Sequence, residues 1–367
     1  MTKALMFVGS VNGTIGYVAE PRGKGISAYR VDLESGAAEF LTAETAIVNP
    51  TFAAVAPDGK SLMAVSELPG VVEGQLSSFA LDAATGKLTL RGRTGTRGWT
   101  PAHVSYDGSG RYAAVINYGD APPDQPGASV VVVERTTDGG IARIVAEATH
   151  KGSGPDTGRQ NRPHAHCVRW TPDNRFVIVA DLGIDALGVY RFDAASGAIV
   201  HHREVATTPG AGPRHFVFHP NGRFVYVANE LSSTVASFAF DAADATFKMS
   251  GEVSTLPQET PGNSCSAIQI STDGAHLFVG NRGHDSVARF AVDANGIAHF
   301  IGTTPCGGKV PRDFAFDPSG RVLAVANQAS DVISLFRYDP KSGDLVPLGG
   351  PISSGSPTAI AFHPTLG

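Results

Sequence analysis

The chain has little of what marks several classes of protein. Only 17% of its 367 residues are charged, its formal net charge is −5 and no basic run occurs, so we expect no nucleic-acid partner. No apolar stretch approaches the ~18 residues that a membrane-spanning helix needs, so we expect no membrane anchor. The start, "MTKALMFVGSVNG", lacks the pattern of a signal peptide. The cytoplasm is therefore the expected compartment, unless a signal has been removed from a secreted form.

Cysteines are equally scarce. Cys167, Cys265 and Cys306 lack the paired spacing of a zinc site and do not form a disulfide framework. No nucleotide-binding motif is present, so we expect neither a metal nor another cofactor. What the chain does have is 43 Gly and 24 Pro among short apolar runs, which favours short strands joined by tight turns.

One sequence unit recurs along the chain: an apolar strand, a Pro-Asp-Gly-like turn, and a second apolar strand. Two of its copies are "TFAAVAPDGKSLMAVSEL" from Thr51 and "RHFVFHPNGRFVYVANEL" from Arg214, and the copies lie about 50 residues apart. A second hairpin, such as "SSFALDAATGKL", follows nearly every copy. Four strands in a repeat of this length are the signature of a β-propeller blade.

The two chain ends complement each other. The N-terminus starts in a second strand, "ALMFVGS", whereas the C-terminus adds a first strand, "SPTAIAFHP", with nothing after it. Pairing these strands completes a seventh blade and removes the exposed edges of the ring. The sequence therefore predicts an all-β protein: one seven-bladed β-propeller over residues 1–367, with four-stranded antiparallel blades and a ring closed by the terminal strands.

Aligning the repeats predicts which side chains share one rim of the propeller. A hairpin brings the start of the first strand of a blade next to the end of the second, so Arg214 and Glu230 should meet near the channel mouth. The start-of-strand positions are Thr51, Ala102, His166, Arg214, Ser266, Arg312 and Thr358, with His103, His215 and Asp313 directly after three of them. The end-of-strand positions are Glu67, Tyr118, Leu182, Glu230, Arg282 and Gln328.

The same rim carries the longest insertions and a ring of polar side chains. The insertions are "NGTIGYVAEPRGKGI", "YGDAPPDQPGAS" and "THKGSGPDTGRQNRPHAH". Long loops on one face of a rigid scaffold commonly carry function. The ring just before the end-of-strand positions includes Asn117, Asn229, Asn281 and Asn327; these side chains either cap backbone groups of the loops or reach a ligand. We predict that His103, His166, His215, Asn229, Asn281 and Arg312 bind substrate.

The motifs "PHAHCVRWTPDNRFVIVADLG", "GPRHFVFHPNGRFVYVANELSSTV" and "GNRGHDSVARF" resemble those of the seven-bladed lactonase propellers, which include 6-phosphogluconolactonases and 3-carboxy-cis,cis-muconate cyclases. The resemblance covers nearly the whole chain. By motif, it implies a catalytic set of His164, Arg214, Glu230 and Arg282. The sequence departs from the family in "GSVNGT" after the first strand, where a "GTYT"-like stretch is common, and in the "APPDQPG" loop.

Two arginines on one rim can hold a small carboxylate or phosphate through charge-assisted hydrogen bonds. The leading prediction is a cofactor-independent lactonase that acts on a small anionic sugar-acid lactone such as 6-phosphogluconolactone, with Glu230 or His164 as the base and Arg214 and Arg282 holding the anion. A muconate-type cyclase is the runner-up, and a non-catalytic binding propeller is the third reading. The same charged residues also fit an ion-pair network between blades, which would favour the third reading if it proved closed to solvent.

Overall fold

The computed structural model describes residues 2–71, 73–119 and 127–366, and its strands form seven antiparallel sheets. The chain begins in blade 1 with β1 (Lys3–Ser10), β2 (Ile26–Asp32) and β3 (Ala38–Glu44). Blade 2 contains β4 (Pro50–Val55), β5 (Ser61–Ser66), β6 (Gln75–Leu81) and β7 (Leu88–Gly95). Blade 3 contains β8 (Pro101–Tyr106), β9 (Tyr112–Asn117), β10 (Val130–Arg135) and β11 (Ile141–Ala148). The "APPDQPG" segment that we singled out in the β9–β10 connection falls almost wholly outside the described residues.

The second half of the chain continues in the same order. Blade 4 contains β12 (Ala165–Trp170), β13 (Phe176–Asp181), β14 (Ala186–Phe192) and β15 (Ile199–Ala206). Blade 5 contains β16 (Pro213–Phe218), β17 (Phe224–Asn229), β18 (Thr234–Asp241) and β19 (Thr246–Ser254). Blade 6 contains β20 (Ser264–Ile270), β21 (His276–Arg282), β22 (Ser286–Val292) and β23 (Ala298–Pro305). Blade 7 contains β24 (Pro311–Phe316), β25 (Val322–Asn327), β26 (Val332–Tyr338), β27 (Leu345–Pro347) and β28 (Ile352–Ser353).

The final strand, β29 (Pro357–Phe362), returns to blade 1 and pairs antiparallel with β1, with Val8 opposite Ile360. The predicted closure by both chain ends is therefore confirmed. Blade 7 differs in one detail, because its outer strand is divided into β27 and β28, which pair with different parts of β26. The only helical segments of the described residues are two 3₁₀ turns, at Leu182–Ile184 and Gln328–Ser330, and no described helix could cross a membrane.

The turns between the first two strands of blades 2 to 7 explain the glycine spacing. Their central residues have φ values between 61° and 76°, which only Gly and, less readily, Asn adopt without strain. These residues are Gly59, Gly110, Asn174, Gly222, Gly274 and Gly320. The repeated turn therefore has a conformational cause, and it fixes the register of each inner hairpin.

The core is a ring of apolar layers between neighbouring blades. Each of seven clusters joins side chains of two adjacent sheets, and one of them spans the seam between blade 7 and blade 1. In that seam Met6 of β1 is fully buried against Ala324 and Leu335 of blade 7. The seam is therefore packed like the other blade contacts, as ring closure requires.

Every blade has a β-bulge at the start of its innermost strand. In β16, Pro213 pairs with Asn229 and His215 pairs with Ala228, so Arg214 is an extra residue without a partner. The same irregularity occurs at the start-of-strand position of the other blades. A bulge re-aims side chains locally, so two consecutive residues, such as Arg214 and His215, can both face the channel.

The packing of the seam between blades 7 and 1 can be tested by replacing Met with Ala at two positions. We expect Met6→Ala to reduce the free energy of unfolding by about 2–5 kcal/mol, because it leaves a cavity in the closing layer. Met249→Ala is the control, since Met249 lies on the outer strand with 38% of its surface exposed and should change stability by less than about 0.5 kcal/mol. Urea unfolding measures both, and equal effects would contradict the packed seam.

Candidate active site

The centre of the site is the carboxylate of Glu230, which follows β17. Arg214 Nε donates to its Oε2 over 2.9 Å, and Arg282 Nη2 lies 2.9 Å from the same oxygen. Arg159 Nη2 donates to the other oxygen, Oε1, over 2.6 Å. The predicted meeting of Arg214 and Glu230 is confirmed, and three guanidinium groups surround a single carboxylate.

Arg159 is held in place by its own loop. Its neighbour Gln160 is fully buried and donates from Nε2 to the Leu182 carbonyl (2.8 Å) and to Asp185 Oδ1 (2.7 Å). The Arg159 backbone N–H donates to Asp156 Oδ1. Arg159 was missed as a site residue, although it lies in an insertion that the sequence marked, because a loop position has no register from which its direction can be predicted.

The cluster determines the charge states of its members. Burial raises the pKa of Glu230, but Arg282 and Arg214 outweigh burial and hold that pKa well below its usual value. Burial and the adjacent Arg282 lower the pKa of Arg214 to about 9, so it is still a cation at neutral pH. A carboxylate that holds its proton so weakly is a poor base. Among the two bases that the sequence suggests, Glu230 is therefore disfavoured, and its contacts suit an anchor of the arginines.

Arg312 is a further cation of this rim. Its guanidinium lies 4.5 Å from the ring centroid of Tyr17, in the long β1–β2 connection, and the nearby Tyr17, Glu67 and Glu230 raise its pKa against the effect of burial. The Tyr17 hydroxyl donates to Glu67 Oε2 over 3.0 Å, which ties this loop to blade 2. The loop thus covers one face of Arg312, and Arg312 also lines a pocket. Tyr17 was not predicted, because its loop departs from the family pattern.

A row of aromatic rings crosses the channel beside the arginines. His215 lies 5.4 Å from His166 and 5.3 Å from His103, which stacks on Phe52 at 4.0 Å. Burial first, and then nearby arginines, hold the pKa values of all three imidazoles well below the usual value, so they are neutral. His166 and His215 line a cavity, whereas His103 lies behind Phe52 and His215. His103 thus supports the row from a position that the substrate-binding prediction did not anticipate.

His164 lies next to this row. Its ring stacks on Tyr118 at 4.4 Å, and its Nδ1 donates to the Tyr118 carbonyl over 2.9 Å. Tyr118 also contacts His166, with 5.5 Å between ring centroids, so its ring joins the two histidines of "PHAH" to the site. In the neutral ring, the bond at Nδ1 leaves Nε2 as the acceptor. Within the described residues, no group of three or more His, Cys, Asp or Glu side chains could hold a metal ion.

Asn229 and Asn281 require a correction. Both are fully buried, and their amides bond to loop and outer-strand groups. Asn229 Nδ2 donates to Thr234 Oγ1 over 2.9 Å, while Asn281 donates to the Thr255 carbonyl and accepts from Thr255 Oγ1. Neither side chain lines the pockets around Arg312. Both instead bond to loop and outer-strand groups, which agrees with the first of the two roles considered for the asparagine ring, the capping of loops.

Two spaces lie around Arg312, which lines both. The wider pocket, of about 580 Å³, is bounded by the β1–β2 loop on one side and by blades 6 and 7, including Arg282 and Gln328, on the other. The narrower cavity lies in the channel and is lined by Thr51, Phe52, Glu67, Ala102, His166, Arg214, His215, Arg312, Asp313 and Thr358. Arg214 and Glu230 form ion pairs that are closed to solvent, and this arrangement also fits a non-catalytic binding propeller. Arg282 and Arg312, in contrast, face an open pocket.

Together these features define a seven-bladed propeller with a cationic pocket at one end of its channel. The chain belongs to the seven-bladed lactonase propellers: the family model described as "Lactonase, 7-bladed beta-propeller" matches residues 12–362. The 6-phosphogluconolactonase of Formosa agariphila is 34% identical over 93% of this chain and 94% of its own. The 6-phosphogluconolactonase of Bacillus subtilis is 32% identical over 95% of this chain and 97% of its own. The solved periplasmic gluconolactonase of Pseudomonas aeruginosa superposes with a TM-score of 0.87, at 31% identity over 98% of this chain and 99% of its own.

Replacing Glu230 with Gln tests its role as an anchor. We expect Glu230→Gln to reduce the free energy of unfolding at neutral pH by about 3–5 kcal/mol, because it leaves buried guanidinium groups unpaired. Since the folded pKa is depressed, this contribution is present above the ordinary value of 4.5 and is lost as the pH falls from there through the folded pKa. The difference between wild type and variant should therefore shrink in acid.

Glu134→Gln is the matched control, because Glu134 also bonds to two arginines, Arg111 and Arg143, but at the surface. Urea unfolding from pH 7 to pH 3 should show a smaller effect for this variant. An equal loss in both variants would contradict the anchor role.

Proposed function

We propose that this protein is a lactonase that hydrolyses a small anionic sugar-acid lactone, with 6-phosphogluconolactone as its substrate. The observation that carries this proposal is the excess of guanidinium groups around Glu230 together with Arg312 at the pocket wall. Such a pocket favours a ligand with negative charge. The names of the two curated relatives given above support the choice of lactone.

The pocket has the size for this substrate. A volume of about 580 Å³ lies within the roughly 300–1,000 Å³ range of small-molecule sites. Arg312 and Arg282 border this space, so we assign the phosphate to them. Arg214 lies deeper, where its positive charge would stabilise the oxyanion that forms when water attacks the lactone carbonyl.

The remaining predicted residues receive supporting roles in this proposal. His166 and His215 line the narrow cavity beside Arg214 as neutral imidazoles, at the edge of the space assigned to the lactone. His164 positions Tyr118, on which it stacks. The reaction needs only water as co-reactant. We place it in the cytoplasm, where a phosphorylated sugar acid occurs, although the Pseudomonas aeruginosa relative is periplasmic.

The muconate-type cyclase is the second candidate. Lactonisation would use the same arginines to hold a carboxylate, which is then the nucleophile, and the arrangement around Glu230 serves either direction. An assay with 3-carboxy-cis,cis-muconate therefore belongs beside the lactone assays.

The test measures hydrolysis of 6-phosphoglucono-δ-lactone and of glucono-δ-lactone, each corrected for spontaneous opening. We expect Arg312→Met to reduce kcat/KM for the phosphorylated lactone by about 10- to 100-fold, the loss of a charge-assisted contact, and to change the other lactone far less.

Arg223→Met is the control, because Arg223 is exposed and follows a tight turn at the opposite end of the blade. A wild type that accelerates neither lactone would exclude the proposed function. Equal losses on both lactones would move Arg312 from the phosphate to the lactone ring.

A further inference from the structure

The narrow cavity beside Arg312 has a distinctive size and lining. Its volume of about 10 Å³ is roughly the space that one water molecule needs. It is too small for any part of a sugar ring. Its lining is mainly polar, and Arg312 borders both this cavity and the wider pocket.

Three buried polar atoms in the lining lack a hydrogen-bond partner among the described residues. They are Thr51 Oγ1, His166 Nδ1 and Arg214 Nη1. The three residues are only 6%, 7% and 3% exposed. Buried polar groups without partners are rare and costly, and three of them around one cavity indicate a small polar ligand. A water molecule bonded to several such groups is the usual solution.

Asp313 lines the same cavity, although no role was predicted for it from the sequence. It is 7% exposed, and its Oδ2 accepts from the Ile360 backbone N–H over 2.9 Å. No lysine or arginine in the described part of the chain forms an ion pair with it. Unlike Glu230, it is therefore a carboxylate whose second oxygen is not held by a guanidinium group.

The surroundings of Asp313 suit proton transfer. Burial raises the pKa of Asp313 to about 6. The hydrogen bonds from the Ile360 and Phe314 backbone and the charges of Arg214 and Arg169 act in the opposite direction but do not outweigh burial. The other ionisable groups of the cavity are Glu67, His166, Arg214, His215 and Arg312. The imidazoles are held neutral, so they do not compete for a proton near pH 7. A base works best when its pKa lies near the working pH.

We propose that this cavity holds the water that attacks the lactone, and that Asp313 is the catalytic residue that accepts its proton. The inference rests on the proposed lactonase function and names the base for it. Thr51 and His166 are positioning residues, which hold the water between Asp313 and the wider pocket.

The step balances without any further reagent. An O–H bond of the water breaks and its proton passes to Asp313, while the water oxygen bonds to the carbonyl carbon. The carbonyl π electrons move to the oxygen that faces Arg214. When this oxyanion collapses, the bond from the carbonyl carbon to the ring oxygen breaks, and the ring oxygen takes the proton from Asp313. The product is the open hydroxy acid, which releases its proton to solvent, and Asp313 is again a carboxylate.

The deciding measurement is the pH profile of lactone hydrolysis by Asp313→Asn. The amide keeps the shape and can still accept from Ile360, so the fold should persist. We expect kcat to fall by about 10²- to 10⁴-fold with KM nearly unchanged. In the wild type, kcat should decline as the pH falls through about 6, where the carboxylate becomes protonated, and the variant should lose this decline.

A second variant and a control separate catalysis from structure. Thr51→Val removes one polar contact to the water with little change in shape, and it should lower kcat without altering the acidic decline. Ser266→Ala is the control: Ser266 has the same position in blade 6, but its hydroxyl donates to the Pro311 carbonyl over 2.5 Å. It should change neither kcat nor the pH profile.

The outcomes distinguish this inference from the proposed function. If the wild type hydrolyses the lactone and Asp313→Asn retains its rate and acidic decline, Asp313 is not the base, although the lactonase function stands. If His164→Gln rather than Asp313→Asn removes the decline, His164 is the base and the inference fails. A wild type without lactonase activity would overturn both.

Discussion

The ion cluster around Glu230 is the interaction on which the rest of the site depends. Its carboxylate joins guanidinium groups from blade 5, blade 6 and the loop before blade 4, so it fixes three parts of the ring relative to one another. Desolvating these charges is costly, and only multiple short contacts can compensate for it. Because one carboxylate serves three cations, the cluster still presents positive charge to a ligand. Structure and recognition therefore share the same residues.

The two carboxyl groups of the site, Glu230 and Asp313, differ in pKa because their surroundings differ. Glu230 is ionised at neutral pH beside the arginines, whereas Asp313 has no ion-pair partner among the described residues and holds its proton more tightly. Two carboxyl groups with such different neighbours can perform different tasks on the same rim. The neutral imidazoles between them add shape and hydrogen-bonding capacity without adding charge.

Much of the architecture could be predicted from the sequence because propeller blades repeat. The turn residues set the period, the incomplete terminal blade predicted ring closure, and aligned hairpins placed Arg214 beside Glu230. Side-chain direction was harder to predict. The register could not show that Asn229 faces its loop, or that the bulges direct both Arg312 and Asp313 towards the channel. Nor could it place Arg159, whose loop is fixed by contacts of Gln160 with a distant turn.

The bulges have a consequence for how such an enzyme can diversify. In blades 2, 5 and 7 two neighbouring side chains at the bulge line the channel cavity, as Thr51 and Phe52 do in blade 2. A substitution at such a position can exchange chemistry without breaking the contacts that hold the ring together, provided that the side chain belongs neither to the ion cluster of Glu230 nor to a layer between blades. Outside the ion cluster of Glu230, single replacements at such positions can therefore alter recognition while the layers between the blades stay in place.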